Sequence, residues 1–411
     1  MPEPTDTTRR LPSRGTLAVI AEMPLCRHAG GLNVHLSFGR VIDSLARRYD
    51  HVLLCMPTVE GQADAVRDYT LRGANIELVP QPPYGSSLGA LKHPAGICRA
   101  YARALRRADD VFVRGMLPFV GMFYLLAGLF RRRPCHWIVG NPVALLRSHR
   151  RAGVIKDTLG LAYALQDRLF TRLGRWLTGG ALLCNGEELA RTFSSPRTVA
   201  VTSSTVTEEE FFLRPDTCGG GTIRILFVGF VRPEKGLEYL IEGVGKTTFD
   251  RRWELTVAGS WKAYGEYKKK LDELVSSLGI GERVKWEGYV SYAKLWEYFR
   301  THDVFALPSL SEGTPHVLVE ARASSLPIVA TRVGGVPTAV KDGVDGLLVE
   351  PKDPVAIARA IDRIVTDGAL RARLIEAGVQ AARKQTVERF VDQVMDAMAD
   401  GVCEQTMTSP E

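Results

Sequence analysis

The sequence lacks the features that mark metal-binding, disulfide-rich and common cofactor-binding proteins. Its seven cysteines are scattered through 411 residues, and no two of them form a C-x-x-C pair. That spacing argues against a zinc site or a disulfide scaffold and favours a reducing compartment. Neither half contains a G-x-G-x-x-G fingerprint or a P-loop, so a dinucleotide or ATP site of the usual kind is not expected.

Long apolar runs are also missing. The chain starts with the polar stretch MPEPTDTTRRLPSRG, so we expect a disordered tail over residues 1–14 and no signal peptide. Residues 116–130 carry no charge, but these fifteen residues fall short of the roughly 20 that a membrane span needs. The stretch favours a buried helix. The alternative is a helix in the membrane interface, with the arginines at 131–133 on the lipid headgroups.

The charge of the chain is unevenly distributed. The formal net charge is +7, and residues 1–215 carry 28 lysines and arginines against 18 aspartates and glutamates. A basic half could meet nucleic acid, anionic lipid or a phosphorylated acceptor. No basic stretch is interleaved with aromatic residues and no helix-turn-helix pattern occurs, so nucleic acid is not expected as a partner.

Strand and helix signals alternate almost throughout, which predicts an α/β protein with parallel sheets covered by helices. A first strand is followed by the glycine-bearing loop PLCRHAGG and a helix that we expect over about 32–48. A polar, glycine-rich stretch later interrupts the alternation, and the pattern then restarts. In this second half, Asp353 directly before Pro354 predicts a capped helix start. We therefore expect a first α/β domain at 15–208, a linker at 209–221, a second domain at 222–385, and a C-terminal crossover helix and tail at 386–411.

The most informative segment is SEGTPHVLVEARASSLPIVAT. It places Glu312 and Glu320 on either side of a predicted helix start, with Thr314 as N-cap and Pro315 as the first helical residue. The first N–H groups of a helix have no internal partners, and with the helix dipole they can hold an anion. A carboxylate can accept two hydrogen bonds from a vicinal diol such as a ribose. Gly313 would let a ligand approach the backbone closely.

A second informative segment is VGFVRPEKG, in which a strand ends at Gly229 and a loop carries Arg232 and Lys235 to the next helix. Two cations at a strand-to-helix turn favour a diphosphate. Neither segment by itself identifies a binding site for phosphate and sugar hydroxyls. Surface loops often contain arginine and lysine, and the two glutamates could be surface charges on an ordinary capped helix.

Several segments taken together resemble the retaining glycosyltransferases of family 4. They are VGFVRPEKGLEYLIEG, RVKWEGYVSYAKLWEYF, DVFALPSLSEGTPHVLVEARASSLPIVATRVGGVPTAVKDGVDGLLVEP and DPVAIARAI, in that order. The match covers most of residues 222–365. It is loose in the first half, where the strand, loop and helix around Gly30 and Gly31 are the main similarity. The resemblance implies the GT-B fold, in which two Rossmann-like domains face each other across an interdomain cleft, with the acceptor on the first and the nucleotide sugar on the second.

The resemblance also implies roles for individual residues. Glu320 would bind the ribose hydroxyls, Glu312 would lie beside the donor sugar, and Lys235 would bind phosphate. Charge on the leaving diphosphate would be stabilised by Lys235, Arg232 and the helix tip without a metal. The further donor-binding residues would be Gly313, Thr314, Pro315, His316 and Val317 at the helix tip, Tyr289 and Val290 near the base, and Gly229. The loop that approaches phosphate and acceptor would contain Gly30 and Gly31, and His35 would follow on the next helix as a residue of the same acceptor and phosphate region.

The sequence departs from the family pattern at two places. The family usually has an arginine directly after the strand-ending glycine, where this chain has Phe230 and places Arg232 two residues later. Many members also have a histidine after a first-domain strand, near the donor. No histidine takes that place here, and we assign no general base. The residues near that place are Arg114, Asn141, His28 and His35.

These observations predict a metal-independent retaining glycosyltransferase that moves a sugar from a UDP- or GDP-linked donor to a sugar or lipid-linked acceptor. The product would belong to a cell-surface polysaccharide, a glycolipid or a glycoconjugate. No cofactor is expected beyond the nucleotide-sugar co-substrate. We expect a cytoplasmic protein, with peripheral contact with an anionic inner membrane face as an open alternative. The rival hypotheses are a non-catalytic GT-B subunit and a nucleotide-sugar epimerase.

Overall fold

The computed structural model of the chain describes residues 14–61, 67–140, 154–193, 195, 197–313 and 315–403. Thr314, Asn141 and residues 1–13 of the expected tail lie outside the described residues. Internal contacts divide the chain into two units. The first unit is Met1–Ser203 with Val387–Glu411, and the second is Ser204–Thr386.

A parallel sheet forms the centre of the first unit. The strands of this unit are β1 (Arg14–Ala21), β2 (Leu25–His28), β3 (Gly31–Val34), β4 (Tyr49–Cys55), β5 (Thr58–Glu60), β6 (Tyr69–Thr70), β7 (Ile76–Leu78), β8 (Asp110–Arg114), β9 (Pro134–Ile138), β10 (Ala181–Asn185) and β11 (Thr198–Val201). Its helices are Leu36–Ala46, Ser87–Ala90, Pro94–Arg107, Val120–Leu129, Val154–Thr178, Glu187–Thr192 and Val387–Cys403.

Seven of these strands pair in the order β11-β10-β9-β8-β1-β4-β7, and all of the pairs are parallel. The central strand β1 contains the uninterrupted apolar run LAVIA, whose five side chains are fully buried. Such runs occur because helices cover both faces of a parallel sheet. The remaining four strands form a smaller mixed sheet in the order β5-β2-β3-β6.

The loop after β1 differs from the prediction. Residues expected to enter a helix near position 32 form the antiparallel hairpin β2–β3, and the helix begins only at Leu36. The backbone of β3 pairs with β6 as well as with β2, and this tertiary pairing overrides the local helical pattern. His35, which we predicted to lie on the helix, is instead its N-cap and accepts a hydrogen bond from the Ser37 N–H at 3.3 Å.

The apolar stretch 116–130 contains a helix, Val120–Leu129, that is buried on one face only. The prediction of a buried helix is therefore right for half of its surface. The inward residues are Val120, Phe123, Tyr124 and Ala127, and the outward ones include Met122, Leu125 and Leu129. Among the described residues, no helix combines the length and the apolar composition that a bilayer span requires.

The second unit contains one parallel sheet with the order β14-β13-β12-β15-β16-β17. Its strands are β12 (Thr222–Val228), β13 (Arg252–Ala258), β14 (Val284–Gly288), β15 (Val304–Leu307), β16 (Ile328–Thr331) and β17 (Leu347–Val349). Its helices are Leu237–Val244, Gly265–Ser277, Tyr292–Thr301, Val317–Ala323, Val336–Ala339, Pro354–Thr366 and Gly368–Arg383. The expected cap at Asp353 is confirmed, because its side chain accepts a hydrogen bond from the Ala356 N–H at 2.9 Å.

The polar segment before β12 packs on the second unit. The backbone N–H of Phe212 donates to the Ala323 carbonyl at 2.8 Å, and the Thr217 hydroxyl donates to the Asp303 carbonyl at 2.8 Å. The C-terminal helix Val387–Cys403 returns to the first unit. There the ring of Phe390 lies 4.7 Å from that of Trp137.

Candidate functional site

Strands β12 and β15 are neighbours in the second sheet, although β13 and β14 lie between them in the sequence. The chain leaves β12 toward β13 on one side and returns as β15 on the other. Loops that follow two such strands separate and leave a crevice at their carboxyl ends, where open α/β sheets bind ligands. Lys235 lies in the loop after β12 and Glu312 in the loop after β15, so the fold brings both to this crevice.

These two side chains form an ion pair. The Lys235 Nζ lies 2.5 Å from the Glu312 Oε1, and the Ser309 hydroxyl donates to the same oxygen at 2.6 Å. Only 13% of the lysine side chain and 8% of the glutamate side chain are exposed. A charge-assisted pair in so little water is strong and holds both groups in one place. A cation and a carboxylate are therefore held in contact at the crevice.

Two glycines shape the backbone around this pair. Gly236 has a φ of 59°, and a Cβ atom there would lie 2.4 Å from the Pro308 carbonyl oxygen. Gly334 has a φ of 50°, and a Cβ atom there would lie 1.9 Å from the Glu312 carbonyl oxygen. Both positions need glycine because the left-handed conformation and the missing space exclude other side chains. The loops that carry Lys235 and Glu312 are thus fixed by close backbone contacts.

The second carboxylate, Glu320, lies on the short helix Val317–Ala323 and is buried. Its Oε1 accepts a hydrogen bond from the Thr205 hydroxyl at 2.6 Å. A buried carboxylate needs such donors because its desolvation is costly. The Thr205 hydroxyl therefore holds the carboxylate in position.

The start of that helix differs from the prediction. His316 is the N-cap and Val317 the first helical residue, whereas we expected Thr314 to cap and Pro315 to begin the helix. The Pro315 carbonyl accepts from the Leu318 N–H at 3.2 Å, so a tighter turn precedes the helix. Gly313 is exposed, and a Cβ atom there would meet nothing within 4 Å. A ligand could reach the backbone at that point.

The other predicted donor residues lie on loops of the same unit. Gly229 follows β12, and its carbonyl contacts the backbone at Gly259 so closely that a Cβ atom on Gly259 would lie 1.7 Å away. Tyr289 is exposed directly after β14, beside Val290. Gly229 and Tyr289 therefore both follow the carboxyl ends of strands in one sheet.

Arg232 takes a different position from Lys235. Its guanidinium Nε lies 3.9 Å from the Glu234 carboxylate, and the side chain is 41% exposed. Phe230, at the position where the family usually has arginine, is 65% exposed. Lys235 therefore pairs with Glu312 of another loop, whereas Arg232 pairs with Glu234 of the same loop.

The predicted loop residues of the first unit lie in and after the hairpin β2–β3. Gly31 has a φ of 130°, and the Gly30 N–H donates to the His28 Nδ1 at 3.0 Å. The His28 Nε2 lies 2.7 Å from the Asn33 side-chain oxygen. Burial lowers the pKa of His35, which favours its neutral, hydrogen-bond-accepting form as a helix cap.

Arg114, one of the residues considered near the missing histidine, belongs to a buried charged group in the first unit. Its guanidinium carbon lies 5.0 Å from the Phe38 ring centre and 5.2 Å from that of Trp137. Burial raises the pKa of the adjacent Glu22 to about 8 and that of Asp167 to about 7. Within the described residues, Glu22 Oε2 and Asp167 Oδ1 are buried without a hydrogen-bond partner.

Sequence reasoning missed three residues that hold the site together. Thr205 and Ser309 each donate a hydrogen bond to a site carboxylate, and Gly334 permits the backbone contact with Glu312. Single threonines and serines give no signal in one sequence. The pair of glycines in TRVGGVPT could have indicated a close backbone approach.

The described residues contain no group of three or more histidine, cysteine, aspartate or glutamate side chains that could together hold a metal ion. The loop after β12 contributes Lys235, the loop after β15 contributes Glu312, and the helix that follows contributes Glu320. Such a set can bind a phosphate through the cation and sugar hydroxyls through the carboxylates.

A family model and several known proteins are similar to this chain. A family model described as "Glycosyl transferases group 1" matches residues 215–381. A D-inositol 3-phosphate glycosyltransferase from Geodermatophilus obscurus is 29% identical over 401 residues, which cover 92% of this chain and 86% of that protein. A protein of the same name from Thermobifida fusca is 35% identical over 196 residues, and the match spans 46% of this chain and only 45% of that protein.

Solved structures share the architecture of the whole chain. HepE from Anabaena, in complex with UDP, has a TM-score of 0.68 at 16% identity, covering 94% of this chain and 100% of that chain. Sucrose-phosphate synthase from Thermosynechococcus elongatus has a TM-score of 0.64 at 17% identity, covering 95% and 100%. Identities this low show the fold alone, and the predicted GT-B class with two Rossmann-like domains is confirmed. Residues 215–381 of this chain match the glycosyl transferases group 1 model, and the chain has the GT-B fold.

Proposed function

We propose that this chain is a retaining glycosyltransferase of family 4 that moves a sugar from a nucleoside diphosphate sugar to an acceptor. The observation that carries the proposal is the ion pair of Lys235 and Glu312 in the crevice between β12 and β15. The buried Glu320 follows on the next helix, held by Thr205. One lysine for phosphate and two carboxylates for sugar hydroxyls match the groups of a nucleotide sugar.

The ion pair suggests how donor binding would proceed. Breaking the bond from the anomeric carbon to the diphosphate leaves negative charge on the departing oxygen. Lys235 would bind that diphosphate in exchange for part of its contact with Glu312. The released carboxylate oxygen would then accept from a hydroxyl of the donor sugar, while Glu320 accepts from the ribose. In this scheme no protein-bound metal is needed.

Retention of anomeric configuration would follow from attack on the face that the diphosphate leaves. The departing phosphate oxygen lies on that face and can take the proton of the acceptor hydroxyl. A dedicated protein base is then unnecessary, which agrees with the missing first-domain histidine. Arg232 would be an auxiliary phosphate contact, since its side chain is partly exposed and its nearest ion pair is a long one.

The donor nucleotide is proposed to be UDP, with GDP as the alternative. Solved structures of HepE contain UDP, UDP with glucose, and UDP-glucose, and they share the fold of this chain. The acceptor is proposed to be a sugar or a lipid-linked sugar, on the way to a cell-surface polysaccharide, glycolipid or glycoconjugate. Because relatives are named D-inositol 3-phosphate glycosyltransferases, phosphorylated acceptors are included among the acceptors to be tested. We propose a cytoplasmic location.

A thermal-shift panel of UDP-, GDP- and ADP-sugars tests the donor proposal without an acceptor. One nucleotide should raise the melting temperature in a concentration-dependent way. With the selected donor, slow release of nucleoside diphosphate should continue in EDTA, and NMR of the transfer product should show the anomeric configuration of the donor.

Three results would contradict this proposal, each in a different way. Binding without turnover over a broad acceptor panel would indicate a non-catalytic subunit. An altered nucleotide sugar with no released diphosphate would indicate an epimerase. If no nucleotide sugar shifted the melting temperature, the assignment of Lys235 and Glu320 to the donor would be wrong.

A further inference from the structure

Two neighbouring helices of the first unit expose apolar side chains where a helix facing water would carry polar ones. On Val120–Leu129 three exposed apolar residues form one stripe, and on Val154–Thr178 six form a longer one. Together they make up what we name the two-helix face: Met122, Leu125, Leu129, Leu165, Leu169, Phe170, Leu173, Trp176 and Leu177. Contiguous apolar surface of this kind marks an interaction site.

The contact between the two helices leaves most of the two exposed stripes uncovered. It is made mainly by inward positions such as Gly174, where a Cβ atom would lie 2.1 Å from the Tyr124 ring. Gly121 lies against the ring of Phe170 in the same way, at 3.3 Å. The helices are therefore locked together by small residues, and the outward apolar side chains remain available to a partner.

A cavity of about 750 Å³ opens between the two stripes. Its walls are almost entirely apolar, with the few polar groups provided by Tyr163, Gln166 and Asp167. An apolar opening of this size suits hydrocarbon chains better than a folded protein surface, because chains can fill an irregular slot.

The charges beside the face identify the kind of partner. Arg168, Arg172 and Arg175 follow one another at helical spacing along one edge, and Arg131 is exposed beyond the end of the shorter helix. Arg168 donates to the Thr192 carbonyl at 2.7 Å, so this edge is fixed in place. The shorter helix is uncharged. Among the side chains that the structure describes on the longer one, the sole carboxylate, that of Asp167, is buried.

A basic edge around an apolar face fits an anionic bilayer and disfavours a second copy of the chain. Two copies related by a twofold axis would present the same arginine edge to each other. A bilayer instead offers hydrocarbon to the stripes and phosphate to the arginines. Trp176, with 78% of its surface exposed, is of the residue type enriched at membrane interfaces.

We propose that the two-helix face docks on the surface of an anionic lipid bilayer. This docking rests on the proposed function, since a bilayer would present a lipid-linked acceptor to the glycosyltransferase. Leucines, Trp176 and the phenyl ring of Phe170 enter the boundary between headgroups and chains. The arginine edge contacts the lipid phosphates.

Vesicle flotation of the full chain tests the proposal. Phosphatidylglycerol vesicles should carry the protein at low salt, and pure phosphatidylcholine vesicles should carry much less of it. The double variant Leu125→Glu, Trp176→Glu should lower the partition coefficient about tenfold or more, because charge is placed where apolar atoms enter the membrane. Val344→Glu is the matched control, since Val344 is an exposed apolar residue of the second unit and should leave binding unchanged.

Brominated lipid gives a second readout that does not depend on a disruptive variant. Tryptophan fluorescence of the bound protein should be quenched, and Trp176→Phe should lose most of that quenching while still binding. Retained flotation of the double variant, or equal binding to neutral and anionic vesicles, would overturn the proposal. The proposal would also be overturned if the protein did not bind vesicles but formed a concentration-dependent dimer that Leu125→Glu abolished.

The same variants separate this inference from the proposed function. The double variant should release nucleoside diphosphate from the selected donor at the wild-type rate in the absence of membranes. If the wild-type chain bound no donor, the glycosyltransferase proposal would be contradicted, and the result of vesicle flotation would still be valid. Normal donor turnover with no vesicle binding would contradict the docking proposal alone.

Discussion

Lys235 and Glu312 form a nearly buried ion pair, with Nζ 2.5 Å from Oε1, although 77 residues separate them in the chain. The pair joins the loops after two adjacent strands and so stabilises the crevice before any ligand arrives. It also sets the order of events in the proposed reaction, because a diphosphate must compete with Glu312 for the lysine.

Replacing Lys235 by methionine should affect both catalysis and stability. We expect donor turnover to fall about 10²–10³-fold, because the cation that would stabilise the leaving diphosphate in the proposed reaction is gone. The variant also leaves the Glu312 carboxylate buried without its cation, which should lower the free energy of unfolding by about 3–5 kcal/mol. Steady-state kinetics and denaturant unfolding measure the two effects.

Lys285→Met is the matched control for that variant. Lys285 lies in the same unit and pairs with Glu254 at 2.6 Å, but its side chain is half exposed. Exposed pairs contribute at most about 1 kcal/mol, so stability and turnover should both stay near the wild-type values. Equal losses in the two lysine variants would show that the position of Lys235 has no special role.

Glu320 and Thr205 should act as one unit in donor binding. Glu320→Gln removes the charge that is proposed to receive the ribose hydroxyls, and we expect the Kd of the nucleotide to rise about tenfold. Thr205→Val removes the hydroxyl that holds the carboxylate, and its effect should be smaller and of the same sign. In the double variant the losses should be less than additive, as expected for two groups in contact.

Calorimetric titration with the free nucleoside diphosphate measures these affinities. Glu350→Gln serves as the control, because Glu350 is an exposed carboxylate of the same unit, paired with Arg332 at 3.3 Å. If Glu320→Gln bound the nucleotide as tightly as the wild type does, the ribose assignment would be wrong.

Gly334→Ala should disturb the site through the backbone. A methyl group at Gly334 would lie 1.9 Å from the Glu312 carbonyl oxygen, so the loop with Glu312 must move. Gly343 has a similar positive φ of 73°, but a Cβ atom there would meet nothing within 4 Å. Both variants should lose about 1 kcal/mol from the left-handed backbone, and Gly334→Ala alone should also lose most donor turnover.

The buried carboxyls of the first unit should make its stability depend on pH. Burial raises the pKa of Glu22 from 4.5 to about 8 and that of Asp167 from 3.8 to about 7. Near neutral pH these groups hold protons in the folded state that they lose on unfolding. Stability should therefore fall as pH rises toward the folded pKa values, by up to about 1.4 kcal/mol per pH unit for each group.

The window for that measurement is about pH 6.5 to 8. Below about pH 6.5, stability should instead rise with pH because of two buried histidines. Burial lowers the pKa values of His136 and His302 to about 4, so the unfolded chain binds protons there that the folded chain does not. Thermal midpoints should fall across the window in the wild type, and Glu22→Gln should flatten the decline. A variant whose slope equalled that of the wild type would show that Glu22 is ionised in the folded protein.

The sequence was sufficient for those features that depend on residues close together in the chain. Alternating apolar runs and turns predicted α/β units, and the cap at Asp353 followed from an aspartate directly before proline. The segments around Lys235, Glu312 and Glu320 indicated the family, because motif residues there are local and ordered. Helix starts were less well predicted: His35 and His316, rather than Leu32 and Thr314, mark the true boundaries.

Only the tertiary structure decided which distant residues meet. The neighbouring position of β12 and β15 follows from how the strands cross over, and no local pattern encodes it. Thr205 reaches Glu320 across 115 residues, and Gly334 fits under Glu312 because two loops approach without a side chain between them. The apolar stretch 116–130 was visible in the sequence, but its half exposure depends on which face the helix Val154–Thr178 covers. Local propensity fixes the elements, whereas long-range packing fixes which of their side chains share a site or face solvent.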